Sequence, residues 1–214
     1  MSDAKIWDRM AKRYIAGPIG DLPAYTEKLR RTQACLTPET ELFEFGCGSG
    51  MTALKHAPLV RHIDAIDFSS VMIDHAKRSA AAEGVSNVDF HVSSLEDWPE
   101  GARYDVVMGM SILHLVRDRA ATLAKVRDLL KPGGLFISST TCLGPTSILR
   151  PLIAIPSALG LLPKVAFIDG TQLKAEIEGA GFTILDHWQP KPRAAHFIIA
   201  QKPGDGAKVN VPAH

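Results

Sequence analysis

The stretch ELFEFGCGSG, residues 41–50, sets a short apolar run holding one carboxylate, Glu44, directly before three alternate glycines, Gly46, Gly48 and Gly50. A strand that ends in closely spaced glycines and feeds a helix lets the backbone approach a ligand at the carboxyl end of a sheet. That geometry points to a nucleotide-like ligand. Glu44 is the second clue, because a buried carboxylate is costly unless something pairs with it.

Outward from this stretch, short apolar runs alternate with helical patterns, which predicts parallel strands joined by crossover helices. Strands are expected at 41–45, 62–67, 87–91, 104–108 and 134–139. Helices are expected at 71–83, with Gly84 as its stop, and at 120–130, ended by KPGG at 131–134. A further helix at 171–178 and the turn GAGF at 179–182 precede two β-like runs, 183–188 and 196–200, read as an antiparallel hairpin. The expected fold class is therefore α/β, with a seven-stranded sheet, mostly parallel and closed by a C-terminal antiparallel hairpin. Residues 1–202 read as a single domain without internal repeats, and the polar, Gly/Pro-containing tail 203–214 is expected to be disordered.

With 24 Lys plus Arg against 23 Asp plus Glu, the formal net charge is +1, which argues against nucleic acid as a partner. Cys35, Cys47 and Cys142 are far apart and form no CxxC pair, so reduced thiols in a cytoplasmic protein are expected, with no disulfide framework and no metal site. The N-terminus is amphipathic and lacks the pattern of a secretory signal. The longest apolar region, 147–163, is broken by Arg150, Pro151 and Pro156 and falls short of the roughly 20 apolar residues of a spanning helix.

Asp67 ends the second strand about 20 residues beyond the glycine turn, where a carboxylate can accept both ribose hydroxyls. A dinucleotide reading also fits Gly48-Ser49-Gly50-Met51-Thr52-Ala53 as GxGxxA, but it leaves Gly46, Glu44 and the KPGG turn unexplained.

Glu44-Phe45-Gly46-Cys47-Gly48-Ser49-Gly50 resembles the first motif of the class I S-adenosylmethionine-dependent methyltransferases, of the small-molecule, UbiE-like type. IDAIDFSSVMIDHAK (63–77), YDVVMGMSILHLV (104–116) and LLKPGGLFISS (129–139) resemble the motifs that follow, in family order. The resemblance implies a Rossmann-like sheet with S-adenosyl-L-methionine as cofactor. It casts Glu44 as the partner of the cofactor's ammonium group and Gly46, Cys47, Gly48 and Gly50 as the close-approach loop. Asp67 would hold the ribose; Phe68 and Met72 would pack near the adenine. Ser94 and Leu95 fall where relatives offer an acid and a backbone amide to the adenine; Ser94 departs from that acid, with Glu96 as a stand-in. Gly109 and Met110, read as lying just past the fourth strand, would meet the methionine end. For the glycines, Asp67 and Met72 the competing roles are a tight turn, a helix cap and ordinary core packing.

Methyl transfer from a sulfonium is an in-line displacement that needs alignment and exclusion of water, and a base only where the acceptor must lose a proton. His114, a few residues beyond the fourth strand, is the candidate catalytic residue, with a packing histidine as the alternative. The other histidines, among them His62 and His91, show no metal-ligand spacing. Residues 1–38 read as lid helices, with Trp7 and Tyr14 on one face and Tyr14 as a partner for the cofactor carboxylate. The insert at 143–170, apolar and carrying Arg150 and Lys164, could wall an acceptor pocket, meet a second subunit, or touch a membrane surface. The expected partner is a small, apolar acceptor, the chain being monomer or homodimer. A phospholipid head-group methyltransferase at a membrane surface and a non-catalytic cofactor-binding regulator are the competing functions.

Overall fold

The computed structural model describes residues 3–144, 152, 155–157 and 162–204. Two helices, α1 (Asp3–Ala16) and α2 (Leu22–Gln33), precede β1 (Glu41–Phe45), α3 (Met51–His56) and β2 (His62–Asp67). α4 (Ser70–Glu83), β3 (Val88–Val92), β4 (Tyr104–Met110), α5 (Arg119–Leu129) and β5 (Leu130–Thr140) follow. The chain then passes through α6 (Gly170–Gly179), β6 (Thr183–Trp188) and β7 (His196–Gln201).

The seven strands lie in the order β3-β2-β1-β4-β5-β7-β6. β1 to β5 run parallel, and β7 is antiparallel to both β5 and β6. Strand order reverses between β1 and β4, which opens a crevice beyond their carboxyl ends, where the glycine turn lies.

Because the side-chain period of a strand is two, each strand feeds both faces of the sheet. Leu42, Ile63, Ala65 and Met108 pack with Leu54, Ile73 and Ala76 of α3 and α4 on one face. Phe43, Phe45, Ile66 and Phe136 pack with Leu123, Val126, Leu173 and Ile177 of α5 and α6 on the other. Helix starts are fixed by side chains that satisfy otherwise orphaned amides. Ser69 Oγ accepts from Met72, Asp118 from Ala121 and Asp169 from Gln172. Gly84 ends α4 in the left-handed conformation that favours glycine.

One expectation is corrected. KPGG at 131–134 does not separate a helix from a later strand; it lies within β5 as an interruption of its pairing. Tyr104 pairs with Leu130 and Val106 with Leu135, so the intervening residues bulge out of the ladder. Lys131 Nζ stands 2.9 Å from both carboxylate oxygens of Asp105 and anchors the bulge. Of the insert, residues 145–151, 153–154 and 158–161, Arg150 among them, lie outside the described residues, as does the tail from 205 onward.

Candidate functional site

The glycine turn leaves β1 with Gly46 at φ 65° and Gly48 at φ 54°, both in the left-handed region. A Cβ on Gly46 would sit 2.8 Å from Ile112 Cδ1, so the turn and the loop after β4 close together only because side-chain atoms are missing there. Gly48 N donates to Asp67 Oδ2 at 3.0 Å, and Ser69 N to Asp67 Oδ1 at 2.9 Å. Asp67 thus ties the turn to Ser69, the residue that caps α4, while facing the crevice.

Two cavities meet at this turn. The first, about 410 Å³, is lined by Asp67, Phe68, Met72, Ser94, Leu95 and Glu96, and continues along Trp7, Ile112, Leu115 and Lys164. The second, about 640 Å³, is lined by Glu44, Cys47, Tyr25, Lys28, Arg13 and Ser139. Gly46, Gly48, Tyr14, Met110 and Ser111 line both. The Tyr14 ring, 57% exposed, stands edge-on to Trp7 at 6.2 Å.

Glu44 is 1% exposed and its Oε2 has no hydrogen-bond partner. Burial, with the charge of Asp67 adding to it, pushes its carboxyl up to about 8. Burial also raises Asp67, against the two amides that lower it. Across the second cavity, Lys28 Nζ donates to Ser139 Oγ at 2.8 Å, and burial pushes its ammonium down. The Tyr25 hydroxyl, one helical turn before Lys28, is buried beside Thr52, and burial pushes it up.

These residues fit S-adenosylmethionine. The orphaned Glu44 oxygen answers an ammonium, Lys28 a carboxylate, and Asp67 a ribose, while Phe68, Met72 and Leu95 offer apolar flanks for a purine. At Gly46 a Cβ would press on Ile112, whereas at Gly48 the nearest atom is Tyr14 Cε1 at 3.8 Å and the positive φ alone favours glycine.

Other predicted residues sit elsewhere. Gly50, at φ 76°, caps α3, and a Cβ on it would lie 2.7 Å from that of Ala76, so it serves helix packing and lines neither cavity. Gly109 and Met110 lie inside β4, not past it; a Cβ on Gly109 would lie 2.5 Å from Phe45 Cζ, and Gly109 too lines neither cavity. Ser94 Oγ donates to Asp97 Oδ2 at 2.7 Å, so its hydroxyl proton is engaged beside the adenine-side cavity. His114 lines neither cavity; its Nδ1 is buried without a partner, and burial pushes the imidazole down to about 4.

Tyr25, Lys28 and Ser111 line the second cavity without a motif that marks them in the sequence. Ser111, at φ 57°, is a non-glycine residue in a left-handed conformation and donates its amide to the Ser139 carbonyl at 2.7 Å. Such strain persists where surrounding contacts hold it. The spacing of Tyr25 and Lys28 on one helix face was the available signal.

Residues 42–134 match the family described as Methyltransferase domain. The chain is 30% identical over 151 residues to a ubiquinone biosynthesis O-methyltransferase from Methylobacterium nodulans, covering 68% of this chain and 60% of that protein. To the protein of the same description from Acinetobacter baylyi it is 28% identical over 171 residues, covering 75% and 71%. The chain therefore spans three fifths to about seven tenths of these relatives' length. Among solved structures, geranyl diphosphate C-methyltransferase from Streptomyces coelicolor, in complex with Mg2+, geranyl diphosphate and S-adenosyl-L-homocysteine, superposes with a TM-score of 0.71. That match has 14% identity and covers 84% of this chain and 78% of that one. No helix among the described residues is long and apolar enough to cross a membrane.

Proposed function

We propose that the chain is a class I S-adenosylmethionine-dependent methyltransferase that methylates a small, lipophilic acceptor by in-line displacement, a reading supported by the methyltransferase-domain match and the curated relatives. The observation that carries this reading is the buried Glu44 carboxylate, whose unpartnered oxygen faces the same cavity as Lys28 and adjoins Asp67 through the glycine turn. Together they make a site for a zwitterionic amino acid joined to a nucleoside.

S-adenosylmethionine, when bound, supplies an electrophilic methyl group on a sulfonium. In this reading the protein's part is positional: Glu44 and Lys28 hold the two charged ends, with Tyr14 beside them. Asp67 holds the ribose, and Phe68, Met72, Leu95 and Ser94 border the base. Met110 and Ser111 stand where the cavities meet and set the line of approach. Trp7, Ile112 and Leu115 give the acceptor side its apolar character. The helices at 1–38 act as a lid, α1 tied to the start of α4 by the hydrogen bond from Ser69 Oγ to Asp8 Oδ1 and α2 tied to β6 by the 2.7 Å Arg31–Asp186 ion pair. His114 is the proposed proton acceptor for acceptors that must lose a proton; its neutral imidazole is the form a base requires, and because it lines neither cavity it would act through an intervening water.

The descriptions of the relatives support an oxygen of a quinone-like ring as the methylated atom. Leu152 and Ile155, 69% and 62% exposed, support contact of the insert with an apolar surface, a membrane or a second subunit. The three unpaired cysteines fit a cytoplasmic location. Calorimetric titration with S-adenosylhomocysteine, with NAD for comparison, tests the core of the proposal. Micromolar binding of the former alone is expected, and a preference for NAD would overturn it.

A further inference from the structure

The outer edge of the sheet gathers two histidines and two aspartates that the proposed reaction does not use. β2 opens with His62-Ile63-Asp64, and β3 carries the mirrored run Asp89-Phe90-His91. The strands are parallel and Asp64 pairs with Asp89, so the two-residue period places all four side chains on one face.

His62 Nε2 lies 3.6 Å from Asp64 Oδ1 and 3.6 Å from Asp89 Oδ2, and His91 Nε2 lies 3.4 Å from Asp64 Oδ1. These separations exceed ordinary N–H···O distances of about 2.7–3.2 Å. They match the spacing of roughly 3.4 Å between two ligands that share a tetrahedral cation at about 2.0–2.1 Å each. One ligand atom from each of His62, Asp64 and Asp89 lies within 4.8 Å of the others.

The central carboxylate is held in place from behind. Asp64 Oδ2 accepts the Tyr104 hydroxyl at 2.8 Å, and Tyr104 Oη in turn accepts Trp98 Nε1 at 3.3 Å. A buried donor that orients a ligating carboxylate is the usual outer support of a metal site. His62 and Asp64 are half-buried and Asp89 is exposed, which leaves an approach for the ion and for water to complete its coordination.

We propose that His62, Asp64 and Asp89, with His91 alongside, bind one divalent transition-metal ion, zinc before magnesium or calcium. Imidazole with carboxylate suits zinc, nickel or copper, whereas the alkaline-earth ions prefer all-oxygen sites. The ion clamps β3, the end strand of the sheet, onto β2. His62 lies five residues from Asp67, roughly 16 Å along an extended strand, so the clamp acts on the edge and not on the methyl-transfer site.

The test is calorimetric titration of the full chain with zinc, and with magnesium as comparison, for the wild type, His62→Ala and Asp89→Asn. Circular dichroism confirms that each variant is folded; both positions lie outside the apolar core. The expected result is one equivalent of zinc with affinity at least tenfold weaker in each variant, and a zinc-induced rise in Tm that both variants lose. Trp98, whose ring lies 5.2 Å from that of His91, offers a fluorescence reporter of the same event. Absence of saturable zinc binding overturns the proposal. So does equal affinity in wild type and variants, which would place zinc elsewhere, for example on the cysteines.

Discussion

The amide of Gly48 and the carboxylate of Asp67 are joined by a 3.0 Å hydrogen bond that ties the glycine turn after β1 to the end of β2. Asp67 therefore shapes the loop before any ligand arrives. Asp67→Ala leaves the Gly48 and Ser69 amides without their acceptor and removes the ribose partner as well. A charged hydrogen bond is worth about 1.5–3 kcal/mol, so S-adenosylhomocysteine affinity is expected to fall more than tenfold, with some loss of Tm. Asp67→Asn, which keeps one amide acceptor, should recover part of the Tm and little of the affinity. Unchanged affinity in calorimetry would remove Asp67 from the site.

Glu44 links ligand binding to protons. Its carboxyl is raised by burial to about 8, above the ordinary value of 4.5, so at neutral pH it is largely protonated in the free protein. The unfolded chain gives up this proton at lower pH; the stability it contributes is full below about 4.5 and is lost as pH rises through about 8. Glu44→Gln should flatten that loss in thermal melts between these limits. An ammonium ligand favours the ionised form, so binding at pH 7 should release a proton. Titrations in buffers of different ionisation enthalpy read that release directly, and Glu44→Gln should abolish it.

Lys28 separates the two ends of the ligand. Its Nζ, on Ser139 Oγ at 2.8 Å, is read as the partner of a carboxylate. Lys28→Met should weaken S-adenosylhomocysteine binding about tenfold, the worth of one charge-assisted contact. Decarboxylated S-adenosylhomocysteine should bind wild type and variant alike. An equal loss for both ligands would assign Lys28 to packing.

The sheet was legible in the chain because its signals are local. Each apolar run of β1 to β7 carries its own period, and Gly84 and the residue pairs around the caps punctuate the helices within a few residues. Glu44 and Asp67 were legible for a related reason: a carboxylate at the end of an apolar run is conspicuous wherever the strand lies. Lys28 and Tyr25 were not, because a cation on an amphipathic helix looks like any solvated side chain until the helix docks. The spacing of the His62 and Asp89 cluster exists only across the β2–β3 register and leaves no pattern along the chain. Gly50 and Gly109 line neither cavity, and the contacts a Cβ would make, with Ala76 and with Phe45, give each a packing reason to be glycine, to which Gly50 adds a positive φ.

His114 decides whether the enzyme supplies a base. Burial lowers its imidazole to about 4, so it is neutral throughout the physiological range, and any rate that depends on it should be flat between pH 6 and pH 8. Because the folded value lies below the ordinary 6.5, the stability tied to this group is present above 6.5 and is lost as pH falls toward 4. His114→Ala should leave S-adenosylhomocysteine affinity intact, since the ring lines neither cavity. With an acceptor that must lose a proton, turnover should fall on the order of 10²–10⁴-fold and recover as rising pH ionises the acceptor itself. A fall in turnover that pH does not relieve would mean that the ring only supports the loop after β4, where its carbonyl already accepts the Ala166 amide at 2.7 Å. Unchanged turnover would leave deprotonation to the acceptor and water.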